Sequence, residues 1–597
     1  VPASPQLSSQ IGNSQFVIFD QFEKMNTKVA RQNLPPKQVA WMENLQPIAP
    51  NDLQTVPGAA APLTSGINFG SPTVREFPAN IGAVDYVIVF GANGACTAVN
   101  ANTGALTLVA AAATFSTTPD MTTFASSRIL IMDPTKGYAT WDGTLFVGSG
   151  GISPNIVVTN GGSGYSAAPA VSFTGGAGGN AGGATATAVM GGSGATQFVV
   201  SVTLTNPGTG NAAGAAITVV FTGANTTPAT ATVVVWPQVK GNTIDVFAGR
   251  VWWASANASG QFRVLNFTGT AGFDDINPAN AAGSTTITDR DLSHGITAVR
   301  ALNNFLYVFG DQSIKQIGSI TVQSSITLFT ILTLASDIGT SFLMTIQSYN
   351  RLVLFANRQG VYGIFGATVQ KISDDLDGIF QLTDFSLLPS AALNDISNIH
   401  CYVLLLKYLD PVAGSRSILV LFQQNQWFVV SQGALLAICS VALASTTQVE
   451  TFGSSGSDVT QLLQNKAVSV PVRLITALSA NGNIVTAKQL QRSGIAITTQ
   501  TAQNLTMTVD TENGSNSYTF SAASVVNWVN NSGQVVQFQN NSLLNVNFIT
   551  GGFRFPHQST EGYGKFIGNT VTGTVMNLSI NAIVNEYVDK DLWGEQP

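Results

Sequence analysis

An all-β fold is predicted: an irregular β-propeller that carries an inserted, duplicated β-module and is followed by a sandwich-like C-terminal β-domain. Three observations predict it. From about residue 80 onward, short runs rich in Val, Ile, Phe, Tyr and Thr alternate with Gly, Asn and Asp turns. The resulting hairpins recur at roughly 45–55 residues, the spacing of propeller blades. Between residues 147 and 239 the rhythm stops, and a Gly/Ala/Thr-rich stretch without a single Lys, Arg, Asp or Glu takes its place.

The elements follow in order. Residues 1–65 hold prolines at 35, 36, 47, 50 and 57 and little alternation, and they read as an arm or clamp. A short helix is predicted from Pro36 through Val39, Trp41 and Met42, because proline is tolerated in a first helical turn. Residues 66–149 form the first part of the propeller. There Tyr86-Val87-Ile88-Val89-Phe90 turns through Gly91-Ala92-Asn93-Gly94, and a second hairpin bends at Asp133-Pro134-Thr135-Lys136-Gly137.

Residues 150–239 form the insert. Its second half repeats the first: Val171-Ser172-Phe173-Thr174-Gly175 matches Val219-Val220-Phe221-Thr222-Gly223, and Ala184-Thr185-Ala186-Thr187 matches Ala229-Thr230-Ala231-Thr232. Two copies of a small β-unit are expected rather than a flexible linker, because strand-forming runs alternate with the Gly turns. Residues 240–465 resume the propeller, with Leu306-Tyr307-Val308-Phe309 and Leu352-Val353-Leu354-Phe355 as clear strands. Residues 466–597 return to alternation, as in Leu505-Thr506-Met507-Thr508-Val509, and form the C-terminal β-domain, read as a platform.

Composition narrows the function. Of 597 residues, 45% are hydrophobic and only 9% charged, against about 25% charged in ordinary soluble proteins. Weak charge repulsion suits a subunit that buries much of its surface in an assembly; an extracellular β-protein with a bland polar surface is the plainer alternative. The 25 basic residues are scattered and outnumbered by 31 acidic ones. Stable DNA binding, which needs clustered cations, is not expected, whereas letting DNA slide past is compatible. No run reaches the roughly 18 apolar residues of a membrane helix. No basic-then-apolar leader opens the chain, so synthesis in a cytoplasm is expected.

No catalytic, cofactor or metal site is predicted. Cys96, Cys401 and Cys439 lack metal or disulfide spacing and read as buried thiols. His294, His400 and His557 form no ligand pair. Gly453-Ser454-Ser455-Gly456 has the wrong spacing for a nucleophile elbow and reads as a turn. Asp374-Asp375-Leu376-Asp377-Gly378 resembles a calcium loop but lacks the terminal Glu, so a solvated turn is expected. Asp274-Asp275 and Asp289-Arg290-Asp291 could be glycosidase carboxylates, with loop capping the ordinary role. Trp252-Trp253 lies in a β-run and reads as core or subunit contact.

One resemblance is carried by motifs in order. Asn33-Leu34-Pro35-Pro36-Lys37-Gln38-Val39-Ala40-Trp41-Met42-Glu43-Asn44, with Leu53-Gln54-Thr55-Val56-Pro57-Gly58, resembles the opening of the tail-nozzle (tail-hub, tail tubular protein B-like) proteins of short-tailed bacteriophages. Val56 stands where that family more often has a basic residue. Tyr138-Ala139-Thr140-Trp141-Asp142-Gly143, Gly249-Arg250-Val251-Trp252-Trp253-Ala254 and Gly564-Lys565-Phe566-Ile567-Gly568 continue the likeness, while the insert resembles modules found in many phage virion proteins. The resemblance implies a structural, non-enzymatic virion subunit. It would form a ring, as a hexamer, beneath the adaptor and portal. The ring would retain packaged DNA and open for ejection, letting double-stranded DNA pass without stable binding, and tail fibres are further candidate partners. Leu34, Pro35, Pro36, Trp41, Glu43 and Asn44 would belong to the assembly arm. The alternatives are a tailspike, receptor-binding protein or glycan depolymerase, or a carbohydrate-binding adhesin carried by the insert.

Overall fold

The computed structural model describes residues 14–49, 51–63, 71–288, 290–292, 294–396, 398–499, 503–521 and 552–590, with short strand segments between 525 and 549. Antiparallel sheets dominate. Seven follow one another round a ring, with inner strands that begin at Thr73, Asp120, Thr243, Ile296, Gln347, Ser390 and Ala437. These are blades 1 to 7, and after the insert their starts keep the rhythm that the hairpins predict. The tight turns obey backbone sterics. Asn303-Asn304, Asn350-Arg351 and Gln424-Asn425 each take positive φ at both positions, the geometry that matches the twist of a two-residue hairpin.

Apolar side chains meet between blades rather than in one central core. Phe77, Phe90, Ile129 and Trp141 fill the space between blades 1 and 2. Trp252, Leu265, Val299 and Leu306 join blades 3 and 4, and Phe309, Phe355 and Tyr362 join 4 and 5. Val87, Val89, Cys439 and Phe452 join blade 7 to blade 1. A single blade leaves both faces apolar, so only stacking in a ring hides them. Ring closure uses the N-terminal segment. Residues 58–63 run along the outer edge of blade 7, where the Leu63 amide donates to the Val459 carbonyl and the Ala60 amide to that of Gln461, both at 2.8 Å.

Blade 6 does not end at its fourth strand. That strand, Gln426–Val430, pairs in parallel with Gln38–Glu43 of the arm, and the sheet continues through Val470–Thr476, Gly568–Val575, Asn504–Thr511 and Gly514–Ser521. A second sheet, centred on Leu578–Lys590 and Ala487–Thr499, covers it and includes the arm strands Gln15–Phe19, Leu45–Ala49 and Asp52–Thr55. One large apolar cluster fills the sandwich and extends into blades 5 and 6.

Two expectations are thereby corrected. The helix predicted from Pro36 to Met42 is the strand Gln38–Glu43. A helix this short carries an unrepaid nucleation cost, while sheet partners on both sides satisfy the strand's backbone. The arm and residues 466–597 are also not separate units, because strands from both build each sheet of the platform.

The insert is a pseudo-twofold module. The central strands Ala170–Gly175 and Ile217–Thr222, one from each copy, pair antiparallel with Ser172 opposite Val220, which are equivalent positions in the repeat. The flanking strands are exchanged. Val157, Val158 and Asn160 pair with Thr232, Ala231 and Thr230, and their counterparts Thr203, Leu204 and Asn206 pair with Thr187, Ala186 and Thr185. The irregularity after Val158 recurs after Leu204. The Thr159–Thr230 hydroxyl contact at 2.7 Å recurs as Thr205–Thr185 at 2.8 Å. Apart from the short pairing of Ala170 and Val171 with Thr187 and Ala186, the outer strands find their partners in the other copy. The ends of the insert meet at a bridge between Ile152 and Val235.

A chain in which a short turn joins 152 to 235 is therefore expected to keep a cooperative thermal transition, read by circular dichroism. A chain that retains only residues 153–195 of the insert is expected to lose protease resistance there, because Val157–Asn160 loses its partner and Ala170–Gly175 and Thr185–Gly191 keep only the short pairing to each other. Equal protease resistance of the half-insert and the full insert would contradict the exchanged pairing.

Candidate functional site

Of the arm residues carried by the resemblance, Trp41 and Glu43 meet at one joint. In a strand, residues two apart share a face, so Trp41 and Glu43 stand together, and the Trp41 indole donates to Glu43 Oε2 at 2.9 Å. Arg416, from the blade 6 strand Gly414–Gln423, donates to both Glu43 oxygens (Nη2 to Oε2 at 2.9 Å) and through Nη2 to Asp410 Oδ2 at 2.6 Å. Arg473, from Val470–Thr476, approaches the same Asp410 oxygen at 3.4 Å. The Trp41 ring stacks on Tyr408 with 5.4 Å between centroids. Arm, propeller and platform thus share one buried charge network.

Electrostatics show how the buried acids remain ionised. Burial pushes the Glu43 carboxyl up, but bonds from Arg416 and Trp41 outweigh it and hold the group below its ordinary value. Burial likewise raises Asp410, and the amides of Val412 and Ala413 together with Arg416 bring it below its usual range. Bonding to Glu43 raises Arg416.

Asn44 turns the chain from one sheet of the platform into the other. It adopts φ 57°, a conformation asparagine tolerates better than most residues. Its side chain donates to the Pro471 carbonyl at 2.6 Å and the Ser431 hydroxyl at 3.1 Å, and accepts from the Ser431 amide at 3.0 Å. Leu34 is buried in the platform core, whereas Pro35 and Pro36 are exposed. At the joint opens a notch of about 320 Å³, lined by Val29, Ala40, Trp41, Leu382 and Val412 together with Asp410 and Arg473; Val412 is 79% exposed.

The aspartate run serves the same arm. Lys24 pairs with Asp375 at 2.8 Å and Lys28 with Asp377 at 3.0 Å, while Lys371 pairs with Asp377 at 2.5 Å and Asp374 at 3.7 Å. These carboxylates clamp the arm to blade 5. Among the described residues, no group of three or more His, Cys, Asp or Glu is placed to hold a metal.

A cavity of about 350 Å³ occupies the propeller axis, with Glu76, Thr122, Asp245, Arg300, Gln347 and Ser440 among its lining residues. Leu343 and Met344 line both this cavity and a smaller one that also includes Glu76. Asp120 and Arg300 form a bidentate pair, both bonds 2.8 Å, across blades 2 and 4, and Asp120 also accepts from the Thr243 hydroxyl of blade 3 at 2.7 Å. Glu76 is fully buried between blades 1 and 7, where the Cys439 thiol donates to Oε1 at 3.6 Å and Oε2 has no protein partner. Burial raises its carboxyl to about 8. Burial also lowers the neighbouring Arg75 guanidinium to about 10.

The remaining candidates fall outside these centres. Trp252 and Trp253 are buried, and Trp252 packs on Phe267 at 4.8 Å. Asp274 is a buried acceptor for Ser153 and Asn155. Asp289 and the Asp291 side chain lie outside the described residues. Cys96, Cys401 and Cys439 are buried free thiols raised by burial. His400 bonds Asp395 at 2.7 Å, and His294 bonds Asp311. Arg416, Asp410, Asp120, Arg300 and Glu76 were missed by motif reading. Their signal is charge inside or beside a strand-forming run in a chain with very few charges.

No protein-family profile and no curated protein matches the chain. Among solved structures, Chaetomium thermophilum Raptor shares 10% identity over 68% of this chain and 29% of its own, with a TM-score of 0.31. The Myceliophteria thermophila Cps50 (Swd1) β-propeller domain shares 8% over 68% of this chain and 98% of its own, at 0.27. The Bombyx mori GH32 β-fructofuranosidase BmSUC1 shares 9% over 59% and 93%, at 0.19. At these scores the likenesses bear on no activity.

Two outcomes follow from the buried charges. Arg416→Met strands Glu43 as a buried anion without a cation and leaves Asp410 only Arg473 at 3.4 Å, and it is expected to cost about 3–5 kcal/mol at pH 7, measured by denaturant unfolding. In the native chain, those acids contribute stability above the ordinary carboxylate range, and it is lost as pH falls through their lowered folded values. Glu76 has the opposite sign. Its raised value gives stability that is complete below about 4.5 and lost as pH rises through about 8. Glu76→Gln is therefore expected to melt with a smaller drop between pH 5 and pH 9 than the native chain; parallel curves would refute the assignment.

Proposed function

We propose that this chain is a structural, non-enzymatic subunit of a ring-shaped tail nozzle of a short-tailed bacteriophage particle, docked beneath the adaptor and portal. The single observation that carries the reading is the joint at Glu43. The opening motifs of the resemblance, residues 33–44 and 53–58, meet its C-terminal motif, residues 564–568, in a platform built from both ends of the chain. Gln15 pairs with Tyr587 in one sheet of the platform, and the propeller continues from the other. A subunit of this kind transmits load between platform and propeller through strand hydrogen bonds and a buried ion network rather than through a linker.

The axial cavity bears on where DNA passes. At about 350 Å³ it is too small for a duplex whose major groove alone is about 12 Å wide. The bore therefore lies between subunits, in a ring closed by repeated head-to-tail contacts. Chemistry supports transit rather than grip. With 25 basic against 31 acidic residues, few phosphates can be neutralised at once, and little counterion release is available to hold the DNA. The notch at the Trp41 joint is the natural seat for a neighbouring subunit.

Native mass spectrometry of the purified chain, alone and mixed with its candidate adaptor ring, tests the proposal. A hexamer, or a monomer that becomes one on the adaptor, is expected. A stable trimer that resists denaturant would overturn the nozzle and favour a tailspike. Release of new reducing ends from host polysaccharide would overturn the non-enzymatic part.

A further inference from the structure

The largest of the cavities described, about 570 Å³, lies neither at the arm joint nor on the propeller axis. It opens between the insert and the loop joining the strands Phe262–Phe267 and Gly283–Thr286 of blade 3. Its volume falls within the roughly 300–1,000 Å³ of small-molecule sites.

One wall is polar and held in place. Asp275 accepts from the amides of Ala271 at 3.2 Å and Asn277 at 3.0 Å, and its carbonyl accepts from Gly269 at 2.8 Å. Asn277 caps the short helical turn Pro278–Asn280, accepting from Ala279 at 3.0 Å. The loop is anchored behind by Phe273, whose carbonyl accepts from Tyr138 at 2.9 Å and whose ring packs on Trp236 and beneath the Arg128 guanidinium. The carboxylate and amides on this wall are therefore ordered before any ligand arrives, which lowers the entropic cost of binding.

The facing wall belongs to the insert, from Gly214 to Ile217 and from Thr232 to Val235. Small residues there leave the main chain close to the groove. Val157, Val234 and Ile276 add apolar surface and are each about half exposed, at 51%, 54% and 47%. No Lys or Arg lines the groove, and Asp274 and Asp275 make it unfavourable for anions.

We propose that this groove binds a short, uncharged oligosaccharide. Sugars offer adjacent hydroxyls that both donate and accept, which suits the Asp275 carboxylate, whose oxygens can each accept a further bond, beside the side-chain amides of Asn277 and Asn280, and they have apolar C–H faces that suit the Val and Ile patches. The arrangement serves recognition rather than hydrolysis: Asp274 is engaged by Ser153 and Asn155, and it stands next to Asp275 on one wall rather than opposite a second acid across a scissile bond. The site is independent of ring formation and would give a virion subunit contact with a glycan-covered surface.

The test is binding of the labelled full chain to an array of neutral and anionic oligosaccharides, repeated with Ala216→Trp and Asn280→Ala. Both positions are exposed, so an unchanged melting curve serves as the folding control. Neutral sugars are expected to be preferred. Ala216→Trp, which fills the groove, is expected to abolish binding, and Asn280→Ala to weaken it about tenfold through loss of hydrogen bonds. No binding to any neutral sugar, a preference for anionic ones, or binding that survives Ala216→Trp would overturn the site. The mass of the assembly is a separate measurement, so either proposal can fail alone.

Discussion

The architecture depends on one constraint: blade 6 shares its sheet with the platform. Glu43 lies opposite Val429 in parallel register, and the backbone ladder runs from the propeller into the sandwich without a hinge. Such an open edge invites slippage, because a one-residue shift would reverse every side chain. The Glu43–Arg416–Asp410 network opposes it, since a slip would leave buried charges without partners. Trp41 stacked on Tyr408 and Asn44 bonded to Ser431 and Pro471 fix the same register from either side. The most specific residues of the arm are therefore used to define the relative position of two bodies.

Scarcity of charge gives each charged group unusual weight. Asp120 and Arg300 connect blades across the ring, while Asp120 also receives the Ile244 amide at 2.9 Å. Lys24 and Lys28 clamp the arm to the aspartates beside blade 5, where Lys371 of that blade also pairs with Asp377. Glu76 is the exception. It lies where blades 1 and 7 close the ring and has no cation bonded to it, so desolvation favours its neutral form. Closure there rests on apolar packing, on the Thr73–Ser454 hydroxyl contact at 2.7 Å and on the strap from residues 58–63.

The insert follows a different principle. Its two copies exchange outer strands about a local twofold, so its order comes from internal pairing and needs no charge. Tyr165 and Asn211, equivalent in the repeat, have diverged: Tyr165 accepts from the Ala229 amide at 2.7 Å, while Asn211 donates to the Gly150 and Ala181 carbonyls at 2.8 and 3.0 Å. Asn211 secures the module to its point of attachment. Trp236, bonded to the Tyr138 carbonyl at 2.7 Å, carries that attachment into the propeller.

By itself the sequence determined what depends on local chemistry. Two-residue periodicity and turn residues located the blade hairpins, because side-chain alternation and positive φ are properties of a few neighbouring residues. The internal repeat marked the insert, and Trp252 and Trp253, read as core, are buried, whereas the aspartate run at residues 374–377, read as a solvated turn, pairs with lysines of the arm. Tertiary structure alone decided the rest. Gln38–Glu43 is a strand because sheet partners hundreds of residues away in sequence satisfy its backbone. That the arm and the C-terminal region, expected to form the platform together, interleave their strands within the same two sheets was decided for the same reason. The Glu43–Arg416–Asp410 network and the groove beside Asp275 were not legible, since each brings together residues whose proximity is set by ring closure and sheet register. Local patterns carry no information about such distances.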